Sequence, residues 1–253
     1  FLIKISGLPA IGTHTPFVIE TEKTEFKLMA NKFLTKTILP NEILSVNLKG
    51  NLADVLNDYI NIRSLRFITK QKRTSTVPLT SYDKFWINMK SRARNEYRKA
   101  DKNFLYTKEV KLGSYLNDIS AIIQSTANRK KFLNSFDYKA LDSLAKYLGQ
   151  KDNRGYCVGT FYKQEIVSFA IFLIFDKKLI YFQGGTKTNW LSKGASTKSV
   201  VDGTKIGIDL KLDNLDLNGL DDLGVKKWKE SFGGTEECWV RVYRLGTLLR
   251  PLY

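Results

Sequence analysis

From residue 155 onward the chain leaves little choice of architecture. Residues 155–162, 166–175 and 179–183 are three apolar runs separated only by Lys163-Gln164-Glu165 and Asp176-Lys177-Lys178. Links that short allow only tight reversals, so the spacing predicts a three-stranded antiparallel meander. After Gly184-Gly185 the pattern turns to a helix over about 191–207, a strand over 212–217, a short helix over 221–232 and a last strand over 238–243. Meander, helix, strand, helix, strand specifies an α/β (α+β) fold in which a mixed sheet is flanked by helices.

The stretch Asp216-Leu-Asn-Gly-Leu-Asp-Asp-Leu-Gly-Val-Lys-Lys-Trp-Lys-Glu-Ser-Phe-Gly-Gly234 carries the candidate chemistry. Its turn is expected at Asn218-Gly219, and Gly233-Gly234 stops the helix. Asp221 and Asp222 open that helix and Lys226, Lys227 and Lys229 fall in its later turns, so the charges suit the macrodipole at both ends. Val225, Trp228 and Phe232 form one apolar face, with Lys226 and Lys229 on a neighbouring face. A lysine held beside a strand end, over an aromatic ring, can meet a phosphate or a developing oxyanion.

A second candidate region is the helix predicted over 80–103. Thr80 and Asp83 have the spacing of a capping box, and Phe85, Met89, Ala93, Tyr97 and Ala100 form an apolar stripe. Lys90, Arg94, Arg98 and Lys102 stand four residues apart on another face. Between Lys84 and Lys111 the chain has nine basic residues against three acidic ones. Like charges at four-residue spacing repel, which an anionic partner such as a tRNA backbone or a substrate pyrophosphate would offset. The plain alternative is a solvated helix face.

The rest of the chain reads as alternating elements. Residues 7–12 form a glycine and proline loop followed by an extended 16–20, and the lone His14 sits there without a nearby nucleophile. A helix is predicted over 23–39, ended by Pro40. Strands are predicted over 43–48 and 64–70 with a helical connection over 51–59, and one or two helices within 111–149, with a basic loop at 128–131. A boundary near 105 divides the chain into parts 1–105 and 106–253.

Composition narrows the chemistry. A net charge of +16 over 253 residues favours anionic partners. One histidine and two distant cysteines, Cys157 and Cys238, give no metal-ligand set and no Cys-His pair. Both cysteines read as buried reduced thiols, which places the protein in the cytoplasm. No apolar run reaches the ~20 residues that span a bilayer, and peripheral membrane contact stays open. The chain opens on Phe1, so the sequence leaves its native start and any signal segment open. The glycine-rich run that cradles a coenzyme A pyrophosphate at a helix start is missing, with Lys193-Gly194-Ala195 only a weak substitute.

Asp-Leu-x-Gly followed by Gly-Val-x-x-Trp-Lys-x-x-Phe-Gly-Gly resembles the C-terminal signature of the FemABX family, and Arg94-Asn-Glu-Tyr-Arg-Lys-Ala100 resembles a helix of the same group. The resemblance covers about residues 80–244. It implies a GNAT-like fold, here a tandem whose first domain (1–105, with the basic helix) is reduced and whose second (106–253) is full. It implies transfer of an aminoacyl group from aminoacyl-tRNA, or another phosphate-bearing donor, to an amine on a peptidoglycan precursor. Lys229 would then be the main cation at the oxyanion or phosphate, Trp228 would position it, and Asp216 would orient the nucleophile or cap the turn. Lys90, Arg94, Arg98, Lys99, Tyr181 and Lys226 would hold substrate, with no metal and no cofactor beyond the co-substrate. The chain departs from the family in having Trp228 where phenylalanine is usual, and in lacking a long helical-hairpin arm. Two other readings stay open: an acyl-CoA-dependent N-acyltransferase, and a non-catalytic RNA-binding protein on the same fold.

Overall fold

The computed structural model describes residues 45–49, 68–130, 138–149, 154–175 and 177–243. The expected loop around His14, the helices over 23–39 and 51–59, and the start of the strand over 64–70 lie outside them. The chain divides into two compact units, one holding Ser75–Glu236 and the other Gly12–Thr74 with Glu237–Tyr253. The boundary expected near 105 falls inside the first of these. In the second, β1 (Ser45–Lys49) pairs antiparallel with Trp239–Tyr243 of β8 (Thr235–Tyr243).

The sheet of the first unit is built around the predicted meander, β4 (Gly155–Tyr162), β5 (Glu165–Phe175) and β6 (Lys178–Thr186). On one side β4 pairs antiparallel with β3 (Tyr106–Val110). On the other β6 pairs parallel with β7 (Asn214–Asp216), and β7 pairs antiparallel with the end of β2 (Ile68–Pro78). Strand β3 was missed because four of its five residues, Tyr106 to Glu109, are polar or partly exposed, so no apolar run marks it.

Strand β5 is buried from Ile166 to Leu173 because helices cover both faces. Alternate residues serve two cores. Val158, Ala170, Phe172 and Leu179 pack on one side with Phe85, Met89, Val200 and Phe232. Cys157, Ile171, Leu173 and Ile180 pack on the other with Ile119, Ile122, Leu141 and Leu144. The second face is covered by α3 (Leu116–Lys130) and α4 (Tyr138–Gly149), whose buried residues lie on the predicted stripes. Asn128 to Lys130, expected in a loop, continue α3.

The predicted helix over 80–103 is two helices, α1 (Tyr82–Asn88) and α2 (Ser91–Lys102). Met89 and Lys90 adopt extended backbone between them. The break frees the Lys90 N–H to donate to the Ser231 carbonyl at 2.8 Å. The N-cap is Ser81, whose hydroxyl accepts from Lys84 N, rather than Thr80. The apolar stripe survives the break: Phe85, Met89, Ala93 and Ala100 are all buried.

Helix α5 (Ala195–Asp209) begins later than predicted because Thr188–Lys193 form a 3-10 turn. It crosses α2 closely. A Cβ on Gly194, which has φ +78°, would stand 2.0 Å from the Glu96 carbonyl oxygen. A buried ionic group joins the same two helices. Asp202 accepts from Tyr97 at 2.8 Å and Thr107 at 2.7 Å, while Lys198 bridges Asp101 at 2.7 Å and Asp202 at 3.4 Å. Burial would raise the Asp202 pKa, but the Thr107 and Tyr97 hydrogen bonds and the Lys198 charge hold it below its ordinary value.

Gly194→Ala is expected to destabilise the protein by about 2–3 kcal/mol, from the left-handed backbone and the displaced Glu96 carbonyl together. A urea midpoint that does not move would show that α2 and α5 are not held at this distance.

Candidate active site

Pairing between β6 and β7 stops at Ile180↔Asp216, while β6 runs on to Thr186. Immediately beyond that point β6 bulges. Phe172 of β5 pairs with Tyr181 and its neighbour Ile171 with Gln183, leaving Phe182 as the extra residue. A bulge bends its strand, so β6 and the chain after β7 part and leave a crevice.

Lys229, at the end of α6 (Leu223–Lys229), lies beside that crevice. It is only 7% exposed. Its ammonium donates to the Gly219 carbonyl at 2.8 Å and sits 5.7 Å above the Tyr181 ring. The sequence places it there through three local devices. Asp222 caps α6 by accepting from Val225 N at 2.8 Å. Asp216 accepts from Asn218 N at 2.8 Å, and Asn218 has φ +62°, so the chain turns sharply and presents the Gly219 carbonyl. Gly233, at φ +81°, ends the 3-10 turn Glu230–Phe232 that follows α6.

Trp228 fixes the same wall. Its indole N–H donates to Thr197 of α5 at 3.1 Å, and its ring meets Tyr181 and Phe232 edge-on, with centroids 6.0 and 5.2 Å away. Tyr181 folds back along β6 over Gly184, where any Cβ would fall 2.0 Å from the phenol oxygen.

The electrostatics are those of a desolvated amine. Burial brings the Lys229 pKa down to about 8, against the upward pull of Asp216 and Asp221, with Lys130 adding to the depression. Burial also raises the Tyr181 phenol above its ordinary value. Near neutral pH Lys229 is mostly an ammonium able to stabilise a developing oxyanion, and a minority free amine is available to take a proton.

Lys229, Trp228, Tyr181 and Asp216 thus lie together. The predicted substrate-binding residues of the basic helix stand differently. Arg94 turns back to the end of α1, donating to the carbonyls of Ile87 at 3.0 Å, Trp86 at 3.4 Å and Met89. Its charge neutralises the negative end of that helix. Arg98 lies 5.6 Å from the Trp86 ring and Lys99 is exposed. Lys90 lines a cleft of about 350 Å³ with Ser75, Gly233 and Gly234. Lys226 is paired with Glu236 at 2.6 Å and Glu230 at 3.6 Å. Sequence reasoning missed Thr197 and Gly184, which have no motif of their own, and Lys130, whose ammonium pairs with Asp222 at 3.1 Å.

Among the described residues no group of three histidine, cysteine or acidic side chains could hold a metal ion, and no helix is long and apolar enough to cross a membrane. Cys157 is buried, and its thiol is pushed up to about 12 by burial and by Glu109, which makes it a poor nucleophile.

No family model matches the sequence, and no curated protein matches it. Solved structures do. The fold is GNAT-like. The crystal structure of FemX superposes with a TM-score of 0.67 at 13% identity, covering 91% of this chain and 79% of that one. L-PGS from Bacillus licheniformis gives 0.60 at 14%, covering 90% and 76%, and a GCN5-related N-acetyltransferase from Kribbella flavida gives 0.53 at 13%, covering 94% and 80%.

Lys229 also makes a prediction for stability. Its pKa in the folded protein, about 8, lies below the ordinary lysine value of 10.5. Between those values the unfolded chain binds more protons, so stability rises with pH across that window. Relative to Lys229→Met, the wild type should gain about 3 kcal/mol from pH 8 to pH 10.5, read from urea unfolding at each pH. A flat difference would mean that the ammonium is solvated.

Proposed function

We propose that the chain transfers an aminoacyl group from an activated ester, aminoacyl-tRNA, to an amine acceptor such as a cell-wall precursor peptide. The observation that carries the reading is the Lys229 ammonium, held almost dry at the mouth of a split sheet, in the position of the Trp-Lys pair that resembles the FemABX signature. An aminoacyl ester already has an activated carbonyl. Transfer then needs alignment, oxyanion stabilisation and a proton path, and little more.

In this mechanism the acceptor amine attacks the ester carbonyl in the crevice. The C–N bond forms and the carbonyl oxygen becomes an oxyanion, which the Lys229 ammonium stabilises. Collapse of the tetrahedral intermediate breaks the ester C–O bond and releases the ribose hydroxyl. The proton lost by the amine reaches that leaving oxygen, a transfer for which a lysine of pKa about 8 is suited in either direction. Trp228 and Tyr181 hold the ammonium, and Asp216 shapes the turn whose Gly219 carbonyl orients it.

The start of α5 favours this donor over acyl-CoA. A pyrophosphate would need free backbone N–H groups and open space at that helix start. Here α2 roofs it: Glu96 lies against Gly194, and Ala195, Thr197 and Lys198 are buried.

The test is a transfer assay with charged total tRNA, with acyl-CoA in a parallel thermal-shift experiment. Wild type should form product, and Lys229→Ala should lose about 100-fold or more in kcat. Lys229→Arg should shift the limb of the pH–rate profile that lies near pH 8 in the wild type. Stabilisation by acyl-CoA and not by tRNA would replace the donor. Salt-sensitive RNA binding without turnover, unchanged in Lys229→Ala, would make this a binding protein.

A further inference from the structure

Three segments of the first unit meet at one end of its sheet: the link from α2 into β3, the β4–β5 reversal, and the 3-10 turn before α5. The Tyr106 hydroxyl donates to the Lys163 carbonyl at 2.6 Å, and the Tyr162 and Trp190 rings lie 4.8 Å apart. Leu105 is buried with Ala100, Val167 and Ala195 against those two rings. On this base stand three large apolar side chains facing solvent: Phe104, 83% exposed, Tyr106, 44%, and Leu191, 38%.

Phe104 is anomalous twice. It is the most exposed large hydrophobic residue described, and its φ of +57° is left-handed, a conformation that a bulky L residue adopts only at a cost. The fold alone would be better served by glycine or asparagine there. An aromatic ring held outward on strained backbone points to a use outside the fold.

The surrounding charge says what kind of use. Asp101 is taken by Lys198 at 2.7 Å, and Glu165 by Lys187 at 2.6 Å. Among the described residues no carboxylate pairs with Lys102, Lys163 or Lys193. The tip is therefore apolar, with three lysines near it in sequence that no described carboxylate pairs and two carboxylates that are already paired.

We propose that this end of the sheet docks on an anionic lipid bilayer. Phe104 and Leu191 enter the boundary between headgroups and acyl chains, and Lys102, Lys163 and Lys193 meet the headgroup phosphates. Single-stranded nucleic acid is disfavoured, because it needs a row of ring faces free to stack and of the rings at this tip only Phe104 offers one. Tyr106 is tethered through its hydroxyl and stacked on Phe161 at 5.5 Å, Tyr162 and Trp190 cover one another, and Leu191 has no ring. The inference is independent of the transfer reaction, since its test reads no turnover.

The test is co-sedimentation with phosphatidylcholine vesicles, with and without phosphatidylglycerol. Wild type should bind only the anionic vesicles. Phe104→Gly should melt at the same temperature as wild type or higher, because glycine suits φ +57°, yet partition about tenfold more weakly. Leu191→Ser should weaken partition in the same direction, which covers the case of a misfolded first variant. Three results would overturn the proposal: no binding to phosphatidylglycerol vesicles at low ionic strength, wild-type partition by both variants, or Phe104-dependent binding to poly(U) RNA without vesicle binding.

Discussion

Strand β6 is nine residues long and its parallel neighbour β7 is three, and the crevice follows from that mismatch. Had β7 been longer, Tyr181 to Thr186 would have had a parallel partner and the sheet would have closed. The short β7 follows from its flanks. Lys211, with φ +57°, and Leu212 carry the chain out of α5, and the Asp216–Asn218 turn takes it away again. The bulge at Phe182 completes the separation from the other side, bending β6 where its partner ends. A split sheet leaves backbone polar groups along its edges, and those must be matched by water, side chains or a ligand.

Into this opening the fold puts a lysine, which is unfavourable for folding. A buried ammonium without a carboxylate in direct contact loses more hydration than one carbonyl and one aromatic face return. The Asp216 and Asp221 charges reduce that loss without removing it, which is why the amine titrates near 8 rather than near its ordinary value. A leucine would pack in the same space at less cost. The other buried lysine among the described residues, Lys198, has two carboxylate partners, which sets the two apart. Lys198 joins helices, and Lys229 does not, as the proposed transfer would require of a lysine kept reactive.

Much of the architecture was legible because strands covered on both faces write long apolar runs, and the reversals between them are too short for anything else. Hence β4, β5 and β6 lie close to their predicted bounds. Strand β3 was not legible, since an edge strand whose residues Tyr106, Thr107, Lys108 and Glu109 are polar or partly exposed has no apolar period. The break at Met89–Lys90 was hidden for another reason. Its cause is the Ser231 carbonyl, more than 140 residues away, and the apolar stripe continues through it unchanged. In the site, Lys229 and Trp228 could be found because they sit in a motif. Thr197, which holds the indole, is one of several small polar residues on α5, and nothing local distinguishes it.

The basic row on α2 shows how charge read from sequence can mislead about contact. Arg94 is spent on the carbonyls that end α1 and Arg98 on the Trp86 ring, just as Lys198 and Lys205 of α5 are spent on Asp202. Those cations hold the fold and cannot also grip a ligand at full strength. Their field is a different matter. At distances beyond a few ångströms a paired arginine on helix carbonyls still counts as positive, and a net charge of +16 draws in polyanions wherever they finally bind. Salt should therefore slow encounter with any such partner far more than it alters the chemistry in the crevice, because the ammonium there is shielded from the ionic atmosphere by the protein around it.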